Sequence, residues 1–397
     1  MMNIKSYNFQ NKRALVRVDF NVPLDNKGQV TDDTRIKMSL PTIHKILNDG
    51  GSIVLMSHLG RPKDEPNPQF SLSQTIPCLE KLLNKNVIFC NDCIDHKSIS
   101  VTQNLLPGQV VLLENLRFYK EEKLGDKDFA YQLSKHGDVY VNDAFGTAHR
   151  AHASTSVIAD FFPNHKMFGL LLQNEIISVE KVLNSNQHPL TAIVGGAKVS
   201  SKITIILNLI EKVDHLIIGG GMAYTFIKAQ NGSIGKSLVE DDFLSLALEI
   251  LEKAKEKNVH IHLPVDALCC EEFNNDSPTK TRDINEIPNN EMGLDIGTES
   301  IKLFSNVIEK SALILWNGPM GVFEMNNFQI GTLSIANAIV KATKNNAFSL
   351  IGGGDSIAAI NLFKLADKVS HVSTGGGAML EYLEGKELPG IKSIKSS

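Results

Sequence analysis

The sequence predicts an α/β protein with two domains, each a parallel sheet flanked by helices, joined by a linker helix and a hinge. The chain has 397 residues, which is too long for one ordinary core and indicates two domains of roughly 150–200 residues each. Short apolar runs alternate with helical patterns in both halves, which is typical of parallel sheets covered on both faces. An amphipathic segment at 169–184 separates the two halves.

The first half begins with apolar runs that predict strands, two of them directly after Gly-Gly or Pro-Gly breaks. Segments with helical spacing of their apolar residues lie between these runs. The predicted strands are 14–20, 52–57, 109–114 and 138–142, and the predicted helices are 40–47 and 73–83.

The second half repeats this alternation after Pro189. The stretch 169–184 ends in polar residues shortly before this proline, so we interpret it as the helix that joins the domains. The segment 245–257 is strongly periodic and predicts a helix with charges on its outer face. The predicted strands of this half are 190–194, 215–218, 259–263, 312–316 and 348–351.

Composition narrows the class of protein. Hydrophobic residues make up 42% and charged residues 21%, as in soluble globular proteins, and the net charge of −4 argues against nucleic-acid or membrane partners. Residues 1–169 have 20 Lys and Arg against 18 Asp and Glu, net +2, whereas the remainder has net −6, so the first half attracts anions better. With no apolar targeting or membrane segment and five irregularly spaced cysteines, we expect a cytoplasmic protein with reduced thiols.

Arginines and glycine runs are separated along the chain. The donor fork of arginine suits carboxylate and phosphate, whereas glycine runs between strand and helix let backbone N–H groups approach a nucleotide phosphate. This separation predicts a phosphoryl-transfer enzyme that holds a small anion in one half and a nucleotide in the other. Six of the seven arginines lie in the first 150 residues: Arg13, Arg17, Arg35, Arg61, Arg117 and Arg150.

Four glycine runs in the second half follow predicted strands, where ligands of open parallel sheets bind. A single run is equally well explained as a tight turn, but four together favour a ligand site. None fits the dinucleotide fingerprint or the P-loop, and Gly235-Lys236-Ser237 has Gln230 where a P-loop needs its first glycine, so we interpret it as structural. The runs are Gly195-Gly196, Gly219–Gly221, Gly352–Gly354 and Gly375–Gly377.

Two further features of the second half point to a nucleotide. Lys198 and Lys202 are four residues apart, which we expect to place both on one face at the start of a helix opened by the first glycine run. Otherwise such a pair is a solvated helix face. The turn 316–324 (WNGPMGVFE) offers exposed backbone and a carboxylate, Glu324, for ribose hydroxyls, although an ordinary loop explains it too.

In the first half, Asp19-Phe20-Asn21 ends one predicted strand and His58-Leu59-Gly60-Arg61 ends another, and Arg35, Arg117 and Arg150 lie at or just beyond a predicted strand or its loop. A single surface arginine is usually solvated, but we expect these four arginines and His58 to converge on one anion. Cys90, Cys93 and His96 resemble half of a zinc site, but without a second pair at the required spacing we favour ordinary thiols.

These motifs together closely resemble the phosphoglycerate kinase family. They occur in the family's order from residue 18 to residue 378. The matching segments are VDFNVP, HLGRP, LENLRF, NDAFGTAHR, GGAKVSSK, GGGMAYTF, IGKSL, LPVDA, MGLDIG, WNGPMGVFE, IGGGDS and VSTGGGA.

The resemblance implies two Rossmann-like domains and reversible, Mg²⁺-dependent phosphoryl transfer from 1,3-bisphosphoglycerate to ADP. It implies a monomer that acts on small molecules after hinge-bending closure. It assigns phosphoglycerate to residues 1–169 with a tail of about 380–397 packing back, a linker helix to 170–187, and Mg-ADP or Mg-ATP to 188–379.

The resemblance also assigns roles to single residues. Phosphoglycerate would be held by Asp19, Phe20, Asn21, Arg35, His58, Leu59, Gly60, Arg61, Arg117 and Arg150. The Mg-nucleotide would be held by Lys202, Gly293, Glu324, Gly353, Gly354, Asp355 and Ser356, with Asp355 nearest the metal. The phosphoryl group in transfer would be surrounded by Arg35, Lys198, Lys202 and the helix N-terminus at Gly375, Gly376 and Gly377.

Two departures from the family pattern and two alternative functions remain. The family usually has Lys-Glu where Asn174-Glu175 stands, which affects hinge contacts and not the chemistry, and it often has Thr where Ser356 stands, which keeps the hydroxyl. An NAD(P)-dependent oxidoreductase would require a complete G-x-G-x-x-G, which each candidate here lacks at its third glycine. A non-catalytic protein that keeps the fold would be expected to lose Lys202, Arg35 or Asp355, and all three are present.

Overall fold

The computed structural model describes residues 2–396 and divides into two compact units. Unit 1 comprises the described residues up to Ile177 together with those from Lys386 on, and unit 2 runs from Ser178 to Gly385. The helix α6 (Leu170–Leu183) contains the boundary between them. The chain therefore leaves unit 1 along a helix and returns to it after completing unit 2.

Unit 1 is built on a six-stranded parallel sheet with the order β3-β4-β2-β1-β5-β6. Its inner strands are apolar and buried on both faces, because helices cover both sides of a parallel sheet. The strands are β1 (Arg13–Arg17), β2 (Ser52–Met56), β3 (Val87–Cys90), β4 (Val110–Leu113), β5 (Val139–Asn142) and β6 (Lys166–Phe168).

The helices of unit 1 connect these strands and pack on the sheet. Residues of β1, β2, β4 and β5 share a continuous apolar core with the buried faces of the first two helices. The helices are α1 (Thr34–Asn48), α2 (Ile76–Leu83), α3 (His96–Gln103), α4 (Lys120–Leu124), α5 (Lys127–Ser134) and, beyond unit 2, α14 (Pro389–Lys395). The α14 segment is held to the unit 1 sheet where Asn142 Nδ2 donates to the Gly390 carbonyl at 3.3 Å.

Unit 2 has its own six-stranded parallel sheet with the order β10-β8-β7-β15-β16-β17. Its strands are β7 (Leu190–Val194), β8 (His215–Ile218), β10 (His260–His262), β15 (Leu313–Asn317), β16 (Phe348–Ile351) and β17 (His371–Val372). Its helices are α7 (Ile203–Ile210), α8 (Ala223–Ala229), α9 (Leu244–Glu256), α10 (Thr298–Glu309), α11 (Ile330–Lys344), α12 (Gly354–Leu362) and α13 (Gly377–Leu383). All four glycine runs follow strands of this sheet, so they gather at its carboxyl edge.

Unit 2 also contains a small antiparallel sheet that the sequence did not predict. Its order is β12-β11-β14, and a two-stranded pair, β9 with β13, lies beside it. These strands are short or polar and have no clear alternation, so no periodicity reveals them. They are β9 (Ser233–Ile234), β11 (Asp266–Cys270), β12 (Lys280–Asp283), β13 (Glu286–Ile287) and β14 (Met292–Ile296).

Two predicted helix starts are wrong. Helix α1 begins at Thr34 and continues through Pro41, so Arg35 lies in its first turn and not in a strand or its loop. Helix α7 begins at Ile203, so Lys198 and Lys202 do not share one helical face. The backbone after Gly195 and Gly196 packs against the turn that follows β15 and becomes helical only at Ile203.

The cysteines and helices bear on two expectations from composition. All five cysteines are free thiols, and Cys93 Sγ donates a hydrogen bond to the Glu114 carbonyl at 2.9 Å. Cys93 is thus a protonated thiol inside the core, as expected for a structural cysteine. Among residues 2–396, no helix is both long and apolar enough to span a membrane.

Candidate active site

The predicted anion-binding residues of unit 1 are gathered at the carboxyl edge of its sheet. Asp19 and Asn21 follow β1, His58 follows β2, Arg117 follows β4, and Arg150 follows β5. These four strands are neighbours in the sheet, so their carboxyl ends lie side by side. Arg35 joins them from α1, where its Nη1 donates to Asp19 Oδ2 at 3.0 Å and to the Asn21 carbonyl at 3.2 Å.

Hydrogen bonds hold the loops of this edge in place. Asn21 Oδ1 accepts from the Gly60 N–H at 2.8 Å, and Arg117 Nη1 donates to the Gly60 carbonyl at 2.8 Å. Gly60 has φ +63, and an added Cβ would lie 2.3 Å from Phe70 Cδ1, so the position requires glycine. The side chains of Phe20 and Leu59 are buried in the apolar core, which leaves only their backbone for a ligand.

Two arginines at this edge have guanidinium groups that no protein group binds in the described part of the chain. Arg61 and Arg150 are exposed, and within residues 2–396 neither guanidinium has a hydrogen-bond or ion-pair partner. A group with five free donors is well suited to a phosphate or carboxylate that arrives from solution. Arg117, by contrast, is half-buried, and burial together with nearby Arg17 lowers its pKa.

Arg17 is a buried arginine that sequence reasoning counted but did not place in the site. It ends β1 with 1% of its surface exposed, and its Nη2 lies 3.1 Å from His58 Nδ1. Burial and the positive charges of Arg17 and Arg117 hold the pKa of His58 well below its usual range. His58 is therefore neutral at physiological pH.

The carboxyl edge of the unit 2 sheet is formed by glycine backbone in close contact. An added Cβ would lie 2.1 Å from the Pro319 carbonyl oxygen at Gly195, 2.6 Å from the Gly196 nitrogen at Gly220, and 2.2 Å from the Gly195 oxygen at Gly318. Gly196 N–H donates to the Pro319 carbonyl at 3.1 Å, and Gly220 N–H donates to the Met320 carbonyl at 3.2 Å. We call this contact between the turns after β7, β8 and β15 the glycine crossing.

The glycine crossing corrects one expectation. We expected the N–H groups of the first two runs to face a phosphate. Those of Gly195, Gly196, Gly219 and Gly220 bond instead to protein carbonyls. Gly195 and Gly220 are required because the backbone of neighbouring turns approaches them too closely for any side chain.

A cavity of about 470 Å³ opens beside the glycine crossing. It contains the predicted residues Gly293, Glu324 and Asp355, and Glu324 is exposed. Gly293 has no room for a side chain, because an added Cβ would lie 1.8 Å from Tyr224 Oη. Apolar side chains dominate the remaining wall: Tyr224, Leu238, Phe273, Met292, Leu294, Pro319, Met320 and Val322. A mostly apolar cleft with a few charged groups suits a flat base attached to a polar tail.

Lys202 is held by Asn317, the last residue of β15, next to the glycine crossing. Its Nζ donates to Asn317 Oδ1, and Asn317 Nδ2 donates to the Gly352 carbonyl at 3.1 Å. Burial lowers the pKa of Lys202, and the nearby Asp355 carboxylate opposes that shift. The amine is held by a neutral amide, which leaves its charge available to an anion.

The first turn of α12 supplies the free N–H groups that the earlier runs do not. In the described part of the chain, nothing accepts from the N–H groups of Gly353, Gly354, Asp355 and Ser356. The Ser356 hydroxyl accepts from the Gly318 N–H and so ties this turn to the glycine crossing. A helix N-terminus with free N–H groups is favourable for a phosphate.

The remaining predicted residues of unit 2 are Lys198 and the glycines before α13, and fewer contacts hold them in place. Lys198 is exposed in the loop before α7. Gly376 has φ +51 and precedes α13, and an added Cβ there would meet nothing within 4 Å. Gly375 N–H donates to Ser373 Oγ at 3.1 Å, so of the three glycines it is the one whose N–H is already used.

Sequence reasoning missed several residues of the cavity. Lys236 lines it, although the segment Gly235–Ser237 is indeed not a P-loop: it follows a two-residue strand, and Ser237 Oγ accepts from the Gly293 N–H at 3.0 Å. Phe273 lies in a polar segment whose position only the fold reveals. Outside the cavity, the Lys202 partner Asn317 could have been found, since it directly precedes Gly318 in the WNGP motif.

Comparison with known proteins identifies the family. The sequence model of the family described as phosphoglycerate kinase matches residues 4–386. The chain belongs to the phosphoglycerate kinase family. It is 53% identical to phosphoglycerate kinase of Porphyromonas gingivalis, over 99% of this chain and 100% of that protein. It is 49% identical to the Chlorobium luteolum protein of the same name, over 97% of each.

Solved structures of the family agree with the fold. The structure of phosphoglycerate kinase from Coxiella burnetii superposes with a TM-score of 0.91 at 42% identity, over 99% of both chains. That of the Pyrococcus horikoshii enzyme superposes with a TM-score of 0.83 at 30% identity, over 100% of this chain and 98% of the other. The predicted fold class is confirmed.

Family membership also gives the activity. The chain is a glycolytic kinase that transfers a phosphoryl group reversibly between 1,3-bisphosphoglycerate and ADP, with a carboxyl group as acceptor in the reverse direction. It acts on small molecules. The oxidoreductase alternative is therefore wrong.

Proposed function

We propose that unit 1 holds phosphoglycerate and that unit 2 holds the Mg-nucleotide. The observation that supports this most strongly is the chemical difference between the two carboxyl edges. The carboxyl edge of the unit 1 sheet has arginines with free guanidinium groups, and its predicted site residues form no apolar wall. That of unit 2 has an apolar cavity of about 470 Å³ with Lys202 and the free N–H groups of α12 nearby.

In unit 1, Arg61 and Arg150 provide the donors that capture the incoming phosphate or carboxylate. Arg35 is oriented by Asp19 and by the Asn21 carbonyl, so its remaining donors are fixed in direction before the substrate arrives. A preorganised donor stabilises developing charge without reorganisation, which is the largest contribution in many enzymes.

In unit 2, the base stacks against the apolar wall, Glu324 accepts hydrogen bonds from ribose hydroxyls, and the phosphates meet the first turn of α12. The position of Glu324 on the cavity wall and the unbonded N–H groups of Gly353–Ser356 support this arrangement. Lys202 neutralises charge near the terminal phosphate.

The residues fit a bound Mg²⁺. Mg²⁺ is usually held by one or two carboxylates together with substrate phosphates and water, and the carboxylate of Asp355 lies on the cavity wall beside the free N–H groups. When bound with the nucleotide, the ion supplies positive charge that offsets the charge of the phosphates. Asp355 would hold it.

The transfer needs no general base. The acceptor carboxylate has an ordinary pKa of about 4 and is ionised at neutral pH. What the chain must supply is in-line positioning and positive charge around a metaphosphate-like transition state, from Arg35, Lys198, Lys202 and the α13 N-terminus at Gly376. Hinge-bending closure about the linker helix brings the two substrates together and excludes water.

We also propose a monomeric cytoplasmic enzyme. The free thiols are typical of a reducing compartment. The residues proposed here for each ligand all belong to one chain, so neither site needs a residue from a second copy.

The test couples the reaction to the oxidation of NADH through added glyceraldehyde-3-phosphate dehydrogenase, with ATP, Mg²⁺ and 3-phosphoglycerate as substrates. Turnover should require all three. Calorimetry then tests the two sites separately. Arg150→Ala should weaken 3-phosphoglycerate binding and leave ATP binding unchanged. Phe273→Ala should weaken ATP binding and leave 3-phosphoglycerate binding unchanged. If both variants weaken the same ligand, the assignment of ligands to units is wrong.

A further inference from the structure

A chain of hydrogen bonds in unit 1 runs from a buried carboxylate to His58. Ser154 donates from its backbone N–H to Glu122 Oε2 at 2.9 Å and from its hydroxyl to Glu122 Oε1 at 2.6 Å. Arg17 Nε donates to the same hydroxyl oxygen at 3.0 Å, and Arg17 Nη2 lies 3.1 Å from His58 Nδ1. All four residues are at most 4% exposed.

Donor and acceptor chemistry fixes the direction of the two bonds that Arg17 makes in this chain. A guanidinium group has donors only, so the Ser154 oxygen accepts from Arg17, and the Ser154 hydroxyl donates to Glu122 Oε1. Burial raises the pKa of Glu122, and the charge of Arg17 and the two bonds from Ser154 oppose that rise. The Glu122 carboxylate offsets the buried charge of Arg17, which would otherwise be costly.

The same reasoning fixes the proton on His58. Because Arg17 Nη2 can only donate, His58 Nδ1 must accept and carries no proton. The imidazole is neutral, since burial and the adjacent arginines oppose a second proton. Its one proton is therefore on Nε2.

We propose that Glu122 and Ser154 are positioning residues that hold Arg17 so that it fixes His58 as the neutral Nε2–H tautomer. His58 then offers a single N–H donor to an oxygen of the phosphoglycerate, and that donor does not titrate near neutral pH. The consequence for the substrate rests on the proposed function of unit 1, whereas the tautomer itself does not. No other residue of α4 takes part: the adjacent Glu121 is half-exposed, and none of its side-chain atoms joins this chain of bonds.

The first measurement is the tautomer of His58 in the full, unmodified chain. With ¹⁵N-histidine labelling, two-bond ¹H–¹⁵N correlation spectra distinguish a protonated from an unprotonated ring nitrogen, and the His58→Gln variant identifies the signal. We expect an unprotonated Nδ1 and a protonated Nε2 from pH 6 to pH 8. A protonated Nδ1 at pH 7, in either the neutral or the charged ring, would overturn the proposal without any variant having to fold.

Variants then test the residues themselves. Ser154→Ala removes the hydroxyl between Glu122 and Arg17 but keeps the backbone N–H donor, and Glu122→Gln removes the charge. Both should give mixed His58 tautomers. Both should also raise the KM for 3-phosphoglycerate about tenfold to a hundredfold, the usual effect of losing a hydrogen bond to a charged group. The KM for ATP should not change. Glu121→Gln on the same helix is the matched control and should leave both the spectrum and the KM unaltered.

The readouts separate this proposal from the site assignment. Lower activity with an unchanged His58 spectrum in both variants would mean that Glu122 and Ser154 act only on stability, and the positioning role would be wrong. If the tautomer shifts as expected but added 3-phosphoglycerate leaves the wild-type His58 signals in place, the positioning role stands and the phosphoglycerate assignment of unit 1 fails.

Discussion

The glycine crossing predicts that two glycines of similar backbone conformation differ in what they tolerate. Gly196 has φ +108 and Gly318 has φ +113, so alanine introduces backbone strain at both. At Gly196 an added Cβ meets nothing within 4 Å, whereas at Gly318 it lies 2.2 Å from the Gly195 carbonyl oxygen. Comparing Gly318→Ala with Gly196→Ala therefore isolates the effect of the close contact.

The magnitude follows from two contributions. Backbone strain at a non-glycine residue in such a region costs about 1–3 kcal/mol in the free energy of unfolding, and both variants carry it. Overlap with fixed backbone adds about 1–3 kcal/mol, and only Gly318→Ala carries this second cost. For a domain of this size the additional cost should lower the Tm by about 2–12 °C, at about 2–4 °C per kcal/mol.

The chain contains its own reporter for this experiment. Trp316 is the only tryptophan, is fully buried in β15, and donates from Nε1 to the Gly318 carbonyl at 2.7 Å. Its fluorescence during urea unfolding follows unit 2 at the position of interest. We expect a lower midpoint for Gly318→Ala than for Gly196→Ala at equal m-values. Equal midpoints would refute the argument that close approach, and not φ alone, requires glycine at 318.

Three further predictions concern catalysis, binding and pH. Replacing Arg35 or Lys202 with Ala should lower kcat by on the order of a thousandfold in the coupled assay, because each acts on transition-state charge. The exposed, ion-paired Lys37 and Lys228 are the matched controls, and near-normal turnover in either active-site variant would contradict the assignment. Phe273→Ala should raise the KM for ATP about tenfold with little change in kcat, since stacking of a base on an aromatic ring is worth about 1–3 kcal/mol, and an unchanged KM would place the base elsewhere. Burial raises the pKa of Asp295 from 3.8 to about 7, so the folded state binds this proton more tightly than the unfolded state. The contribution of Asp295 to the free energy of unfolding is fully present below about pH 4 and falls by about 3–4 kcal/mol as the pH rises through 7. The urea midpoints at pH 5 and pH 8 should therefore differ less in Asp295→Asn than in the unmodified chain.

The sequence predicts the sheets better than the residues that surround them. Buried parallel strands are continuous apolar runs bounded by glycine or proline, so β2, β7, β8 and β16 were placed within a residue or so of their true ends. The start of α1 was missed because Pro41 reads as a helix boundary, although the helix continues through it. The strand β12 was missed because its residues, KTRD, are mostly exposed and polar.

In the candidate site, too, the sequence predicts the residues that stand in motifs but not those that only the fold brings together. The substrate arginines and Lys202 stand in motifs that can be read directly. Arg17 lies in a strand, and its importance depends on Ser154, which is 137 residues away in sequence and adjacent only in the fold. The expectation that the N–H groups of the first two glycine runs face a phosphate is also wrong. The sequence shows that glycine stands at these positions, but it does not show whether a ligand or the backbone of a neighbouring turn approaches them.

The discontinuity of unit 1 has a consequence for biosynthesis. The described residues from Lys386 on complete unit 1, with Gly390 N–H donating to the Ala148 carbonyl at 2.8 Å, yet the ribosome makes them after the whole of Ser178–Gly385. At about 5–20 residues per second, unit 1 waits about 10–40 s for its final helix. Unit 2, being continuous, can finish folding first. A nascent chain is thus exposed to proteases and chaperones mainly through its N-terminal half.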